Sequence, residues 1–141
     1  MERERLDKYQ SKLQRIQDRL NSIEEWMENV SKNEFSEELQ LRLSVYKAIQ
    51  EVSEAVTDLC AMYLSDRGKL VGDSYENISA TSEELFPDKL EDNLKNLNGL
   101  RNRIVHEYDK IDHNIAFNAI KTVNKPTRDF KEEVEKWIKN K

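Results

Sequence analysis

Within ten residues, Leu100-Arg101-Asn102-Arg103-Ile104-Val105-His106-Glu107-Tyr108-Asp109, stand two arginines, an amide, an imidazole and a phenol. Histidine titrates near neutrality and can take or give a proton, while arginine holds a phosphate through a fixed fork of donors. Together they could cleave a phosphodiester, with His106 handling a 2′-hydroxyl or leaving-group proton and Arg101 steadying the charge that develops on phosphorus. The spacing restricts how. At about 100° per residue, positions five apart on a helix end up roughly 140° apart, so Arg101 and His106 do not share a stripe. Asn102 and His106, four apart, are neighbours. A twofold axis would resolve this by setting each helix against its mate and doubling every group, which supplies one imidazole for the acid and one for the base. The same residues also fit a charged last turn at a helix C-terminus, with Tyr108 packed on the next helix. His113, beside Asp112, shows no partner pattern and reads as a surface residue.

The elements that must position this set read as helices. The chain has 141 residues, 37% hydrophobic and 36% charged, with only three glycines and two prolines. Average soluble domains are roughly 45–50% apolar and about 25% charged, so this chain buries narrow stripes rather than broad sheets. Turn formers are too few for a many-stranded barrel or sandwich. Leu6, Leu13, Ile16, Leu20, Ile23, Met27 and Val30 recur at steps of three, four or seven, which predicts a helix from about residue 3 to about 31. A second, from Ser36 as N-cap to Asp66, repeats Leu39, Leu43, Tyr46, Ile49, Val52, Val56, Leu59 and Tyr63, and Arg67-Gly68 stops it. A short helix is expected over Ser74–Leu85. Another starts at Pro87, with Asp88, Glu91 and Asp92 in its opening turns, and runs through Leu90, Leu94, Leu97, Leu100, Ile104 and Val105 to Glu107 or Tyr108. Asp112 caps a last helix that Pro126 breaks or kinks before Phe130, Val134, Trp137 and Ile138. The reading is one all-α domain over residues 1–141, an antiparallel bundle of four or five helices with Trp26 and Trp137 as core or dimer-seam anchors.

The net charge of −5 argues at first against a nucleic-acid partner. Its distribution changes that. Residues 21–92 carry 17 acidic against 6 basic side chains, whereas residues 93–141 carry 11 basic against 7 acidic. Lys95, Arg101, Arg103 and Lys110 make the stretch around His106 locally positive, a patch compatible with a phosphate ligand; Lys95 and Arg103 are candidate RNA contacts. Other chemistries have no motif. A lone Cys60 in an apolar helix excludes an internal disulfide framework or a cysteine zinc cluster and reads as a small hydrophobe. Glycine-rich phosphate loops and paired-histidine signatures do not occur, so no metal and no cofactor is expected. The charged start MERERLDKYQ is no secretory signal and no stretch is apolar enough to span a membrane, so a cytoplasmic protein is expected.

Arg101-Asn102-x-x-x-His106-x-Tyr108, continued by Lys110-Ile111-Asp112, resembles the Arg-x4-His-x-Tyr signature of HepT-type toxins of the HEPN superfamily. Arg42-Leu43-Ser44-Val45-Tyr46-Lys47-Ala48-Ile49-Gln50 resembles the second helix of the same family, and the likeness covers nearly the whole chain. The resemblance implies a helical homodimer in which the Arg and His of both copies meet in a cleft, acting as a metal-independent endoribonuclease that restrains growth. Carried over by position, Arg101 orients the scissile phosphate, His106 is the general acid or base, and Asn102 helps to position them. It also implies an MntA-type nucleotidyltransferase antitoxin as partner and Tyr108 as the site of AMP attachment, where a phosphate-bearing group would add negative charge and bulk to the path of RNA. The alternative of a different class is a non-catalytic helical dimer serving as a scaffold subunit for such a nucleotidyltransferase.

Overall fold

The computed structural model describes residues 1–87 and 90–141, and every described element is helical. The expected opening at Asp88 lies outside the described residues. Seven α-helices occur among them: α1 (Arg3–Met27), α2 (Lys32–Glu37), α3 (Leu39–Asp66), α4 (Ser74–Leu85), α5 (Glu91–His106), α6 (His113–Ile120) and α7 (Asn124–Lys139), with a 3-10 turn at Tyr108–Lys110. The all-helical bundle expected from the apolar spacing is the observed fold, divided more finely at three places.

The first division follows α1, which stops at Met27 rather than near residue 31. Asn29 takes φ +60°, and the Ser31 hydroxyl accepts from the Glu34 amide while Glu34 reaches back to the Ser31 amide. That reciprocal cap starts α2, so Ser36 lies inside this short helix instead of capping the long one. At the second, α5 begins at Glu91 and not at Pro87. At the third, Pro126 sits in the first turn of α7, where its missing N–H costs no helical bond, so it opens a helix rather than breaking one. Three ends fall where the sequence puts them. Asp73 caps α4, the Asp112 carboxylate accepts from the Asn114 and Ile115 amides at the start of α6, and Gly68 closes α3 at φ +70°. There the Lys69 and Gly68 amides donate back to the Leu64 and Ser65 carbonyls, a Schellman turn.

Side-chain pairs fix the helix directions. Arg5 meets Asp66, Lys12 meets Asp58 and Arg19 meets Glu51, so α1 and α3 run antiparallel. Tyr9 packs on Trp137 while Arg128 reaches Asn21 and Glu24, which sets α7 antiparallel to α1. On α4, Thr81 donates to the Cys60 carbonyl, and Glu84 accepts from the Tyr63 hydroxyl and from Arg67. The loop after Gly68 thus returns along α3, and α4 lies beside α3 in the same direction. Ser74 and Tyr75 at the head of α4 then meet Asn98 and Asn102 near the tail of α5. The core joins Tyr9, Leu13, Ile16, Leu20 and Ile23 of α1 to Tyr46, Ile49, Val52, Val56 and Leu59 of α3, Leu94, Leu97 and Leu100 of α5, and Phe130 and Val134 of α7. Cys60 is wholly buried there, its thiol pushed up to about 12 by burial. Trp137 packs against Tyr63 at 4.9 Å, whereas Trp26 is 40% exposed and anchors no core in the monomer. Leu39 and Leu43, expected in the apolar stripe of α3, are also exposed.

Candidate active site

The last three turns of α5 carry Asn98, Arg101, Asn102, Val105 and His106, and the buried Leu94, Leu97 and Leu100 hold that helix against α3. Arg101 leans toward α3. Its Nη2 and Nε lie 2.7 and 3.2 Å from one carboxylate oxygen of Glu54, and its Nη1 donates to the Asn102 side-chain oxygen at 3.2 Å. Asn102 turns its amide nitrogen to the Tyr75 hydroxyl at 3.4 Å. Glu54, Arg101, Asn102 and Tyr75 thus form one chain of contacts from α3 across α5 to α4. Burial pushes the Glu54 carboxyl up, but hydrogen bonds from Arg101 and Gln50 and the charges of Arg101 and Lys47 outweigh it, holding the group below its ordinary range.

His106 is the last residue of α5 and is exposed. It stands one turn beyond Asn102, its ring makes no hydrogen bond to another described residue, and Arg101 and His106 share no hydrogen bond within the chain. Arg103 is exposed, and Lys95 is held 2.9 Å from Glu91; both line a cleft on the side of α5 away from Glu54. A second cleft, on the Arg101 side, is lined by Lys12, Arg15, Glu54, Asp58, Asn98 and Arg101.

Tyr108 lies in the 3-10 turn just past His106, and its hydroxyl is buried without a hydrogen-bond partner among the described residues. Its ring meets Tyr46 edge-on at 6.0 Å and lies 6.2 Å from His113. His113 departs from the sequence reading: it is half-buried at the start of α6 and shares a 2.8 Å hydrogen bond with the Tyr46 hydroxyl. Burial and the charge of Arg42, against the opposing Asp112, hold its imidazole below the ordinary value; burial pushes the Tyr46 phenol up to about 12. Glu54, Tyr75, Tyr46 and His113 are what residue spacing misses, since each reaches the motif from another helix. The only local signal was the Gln50–Glu54 pair, four apart on α3. Among the described residues, no group of three or more His, Cys, Asp or Glu side chains could hold a metal ion. Nor is any described helix long and apolar enough to cross a membrane.

With this geometry in hand, the known proteins are decisive. The model of a family described as ribonuclease HepT-like matches residues 16–136, which include the whole Arg101–Tyr108 motif. The chain belongs to the HepT-like ribonuclease family. A putative RNase of Archaeoglobus fulgidus is 38% identical over 93 residues, covering 62% of this chain and 70% of that protein. A tRNA nuclease HepT of Aphanizomenon flos-aquae is 33% identical over 97 residues, covering 66% of this chain and 65% of that protein, so the chain spans about two thirds of the length of these relatives. Among solved structures, the tri-AMPylated HEPN toxin of Shewanella oneidensis in complex with an MNT antitoxin superposes with a TM-score of 0.83 at 22% identity, over 92% of this chain and 97% of that one. A toxin-antitoxin structure with AMP-PNP gives 0.82 at 22% identity, over 91% and 98%. These likenesses establish the HEPN bundle for this HepT-like chain.

Proposed function

We propose that this HepT-like ribonuclease is the toxin of a toxin-antitoxin pair and that it cuts RNA at a composite site formed by two copies of the chain. The observation that carries the reading is the placement of Arg101, Asn102 and His106 in the last two turns of α5, with Arg101 and His106 on different faces. Arg101 is held by Glu54, while His106 is exposed and one turn away. A single chain offers an anion-binding fork and an imidazole facing apart. A second chain related by a twofold axis brings the missing partner to each. The surface beside the site suits that mate: Leu39, Leu43, Gln50 and Glu54 follow one stripe of α3, Arg101 and Val105 follow one of α5, and Leu39, Leu43 and Val105 are 55%, 49% and 39% exposed.

In this reading one His106 removes the proton of the attacking 2′-hydroxyl, the other protonates the leaving 5′-oxygen, and Arg101 stabilises the charged phosphorane between them. Charge stabilisation by the guanidinium makes the reaction metal-independent. The similar toxin of Shewanella oneidensis is AMPylated and in complex with an MNT antitoxin, which supports a nucleotidyltransferase as the neutralising partner and Tyr108 as the AMP acceptor. Because the Tyr108 hydroxyl is buried, transfer requires the Glu107–Lys110 turn to open. Once attached, the AMP group keeps its negative charge two residues from His106.

Expression of the wild type should arrest growth and degrade RNA, whereas His106→Ala and Arg101→Ala should do neither. Co-expression with the nucleotidyltransferase should restore growth and add AMP masses to the Tyr108 peptide. Equal toxicity of wild type and both variants, or toxicity from none, contradicts the catalytic reading and leaves the scaffold role.

A further inference from the structure

The side of α5 away from Glu54, which carries Asn102 and His106, also borders a cleft that the proposed function does not use. Lys95, Gly99, Asn102, Arg103 and His106 are linked by steps of three and four and so share one stripe of the helix. Beside that stripe runs a cleft of about 630 Å³ between α5, α6 and the head of α4, reaching the first turn of α7. Its polar lining consists of Tyr75, Lys95, Arg103, Thr122 and Thr127 with the amides Asn93, Asn96 and Asn118; no carboxylate among the described residues lines it, and Lys95 is paired with Glu91. In a chain with 28 acidic side chains, such a surface is the exception. Tyr75 is 39% exposed, and its hydroxyl receives the Asn102 amide, so the ring stands between the cleft and the catalytic edge.

We propose that this cleft holds single-stranded RNA next to the scissile phosphate, with a nucleobase stacked on Tyr75. The inference rests on the ribonuclease reading above and adds where the strand lies. Each component has a counterpart in a strand. The exposed ring offers a stacking face to an unpaired base, Lys95 and Arg103 neutralise phosphates about two helical turns apart, and the asparagines present donors and acceptors to base edges. The volume suits about one or two nucleotides rather than a folded domain. A duplex keeps its bases stacked on one another and cannot offer one to the ring.

The test uses the full chain carrying His106→Ala, so that RNA is bound and not cut, with a short fluorescein-labelled unstructured oligoribonucleotide and the same sequence as a duplex. Anisotropy should show the single strand bound more tightly. Adding Tyr75→Ala should weaken binding about tenfold, whereas Tyr75→Phe and Tyr75→Trp should retain it. Lys95→Ala and Arg103→Ala should each lower the slope of log affinity against log salt by about 0.7, and Lys8→Ala on α1 should change nothing. Circular dichroism melts check that each variant folds. Three outcomes overturn the proposal: Tyr75→Ala binding like its parent, Tyr75→Phe as weak as Tyr75→Ala, or equal affinity for duplex. So does loss of nucleotidyltransferase binding in Tyr75→Ala with RNA affinity intact, which would assign the cleft to a protein partner. Failure of the ribonuclease reading itself looks different, because the wild-type chain would then cut no RNA and the His106→Ala chain would bind none.

Discussion

At the scale of single residues, the motif is held by partners that reach it from other helices. Glu54 fixes the direction of Arg101 and competes with a phosphate for the same donors, so a bound phosphate would have to share or displace that carboxylate. His113 supports the other end of the motif, since it holds Tyr46 and Tyr46 backs the Tyr108 ring. Its depressed proton affinity gives a signed expectation. The unfolded chain binds the His113 proton more readily than the folded one, so stability is fully present above the unfolded value, about 6.5, and is lost as pH falls from there through the folded value. Melting temperatures between pH 8 and 5.5 should fall for the wild type and fall less for His113→Gln. Equal slopes would mean that carboxylates alone set the acid sensitivity. None of this was legible in residue order, because Tyr46 and His113 lie 67 positions apart. The motif itself was legible, since Arg101, Asn102 and His106 sit on one helix whose period fixes their relative directions.

At the scale of elements, the sequence located buried stripes better than helix starts. Ser36 and Ser31 are both competent caps, and the choice fell to Ser31 because Glu34 stands three residues on and completes the reciprocal cap. Pro126 reads as a breaker or a kink, and the turn before it makes it part of a helix start instead. The stop of α3 was legible, because a glycine after a basic residue is what a left-handed C-cap needs. That stop also lets the following loop fold back and bring Tyr75 beside Asn102. A Cβ at Gly68 would meet nothing within 4 Å, so the cost of Gly68→Ala is purely that of a positive φ. The expected loss is about 1 kcal/mol, a fall in melting temperature of roughly 2–4 °C by calorimetry. No change would mean that the turn relaxes without cost. The exposed Leu39 and Leu43 show the opposite limit: periodicity marks an apolar stripe but does not say whether this chain or a second one covers it.

At the scale of the whole molecule, a net charge of −5 conceals a division of labour. Within the acidic central segment, Glu51, Glu54, Asp58 and Asp66 pair with cations of α1 and α5. Beside α5 lies a cleft that no carboxylate among the described residues lines. Binding of RNA should therefore be local and salt-sensitive rather than spread over the surface. In the proposed function the exposed Leu39 and Leu43 beside the motif are covered by a second chain. The most direct measurement is the rate at which purified wild-type and His106→Ala proteins cleave a labelled RNA in the presence of EDTA. A wild-type rate that persists with chelator and falls at least about a hundredfold in His106→Ala is the predicted result. Equal rates for the two proteins, or cleavage abolished by EDTA, would contradict the account.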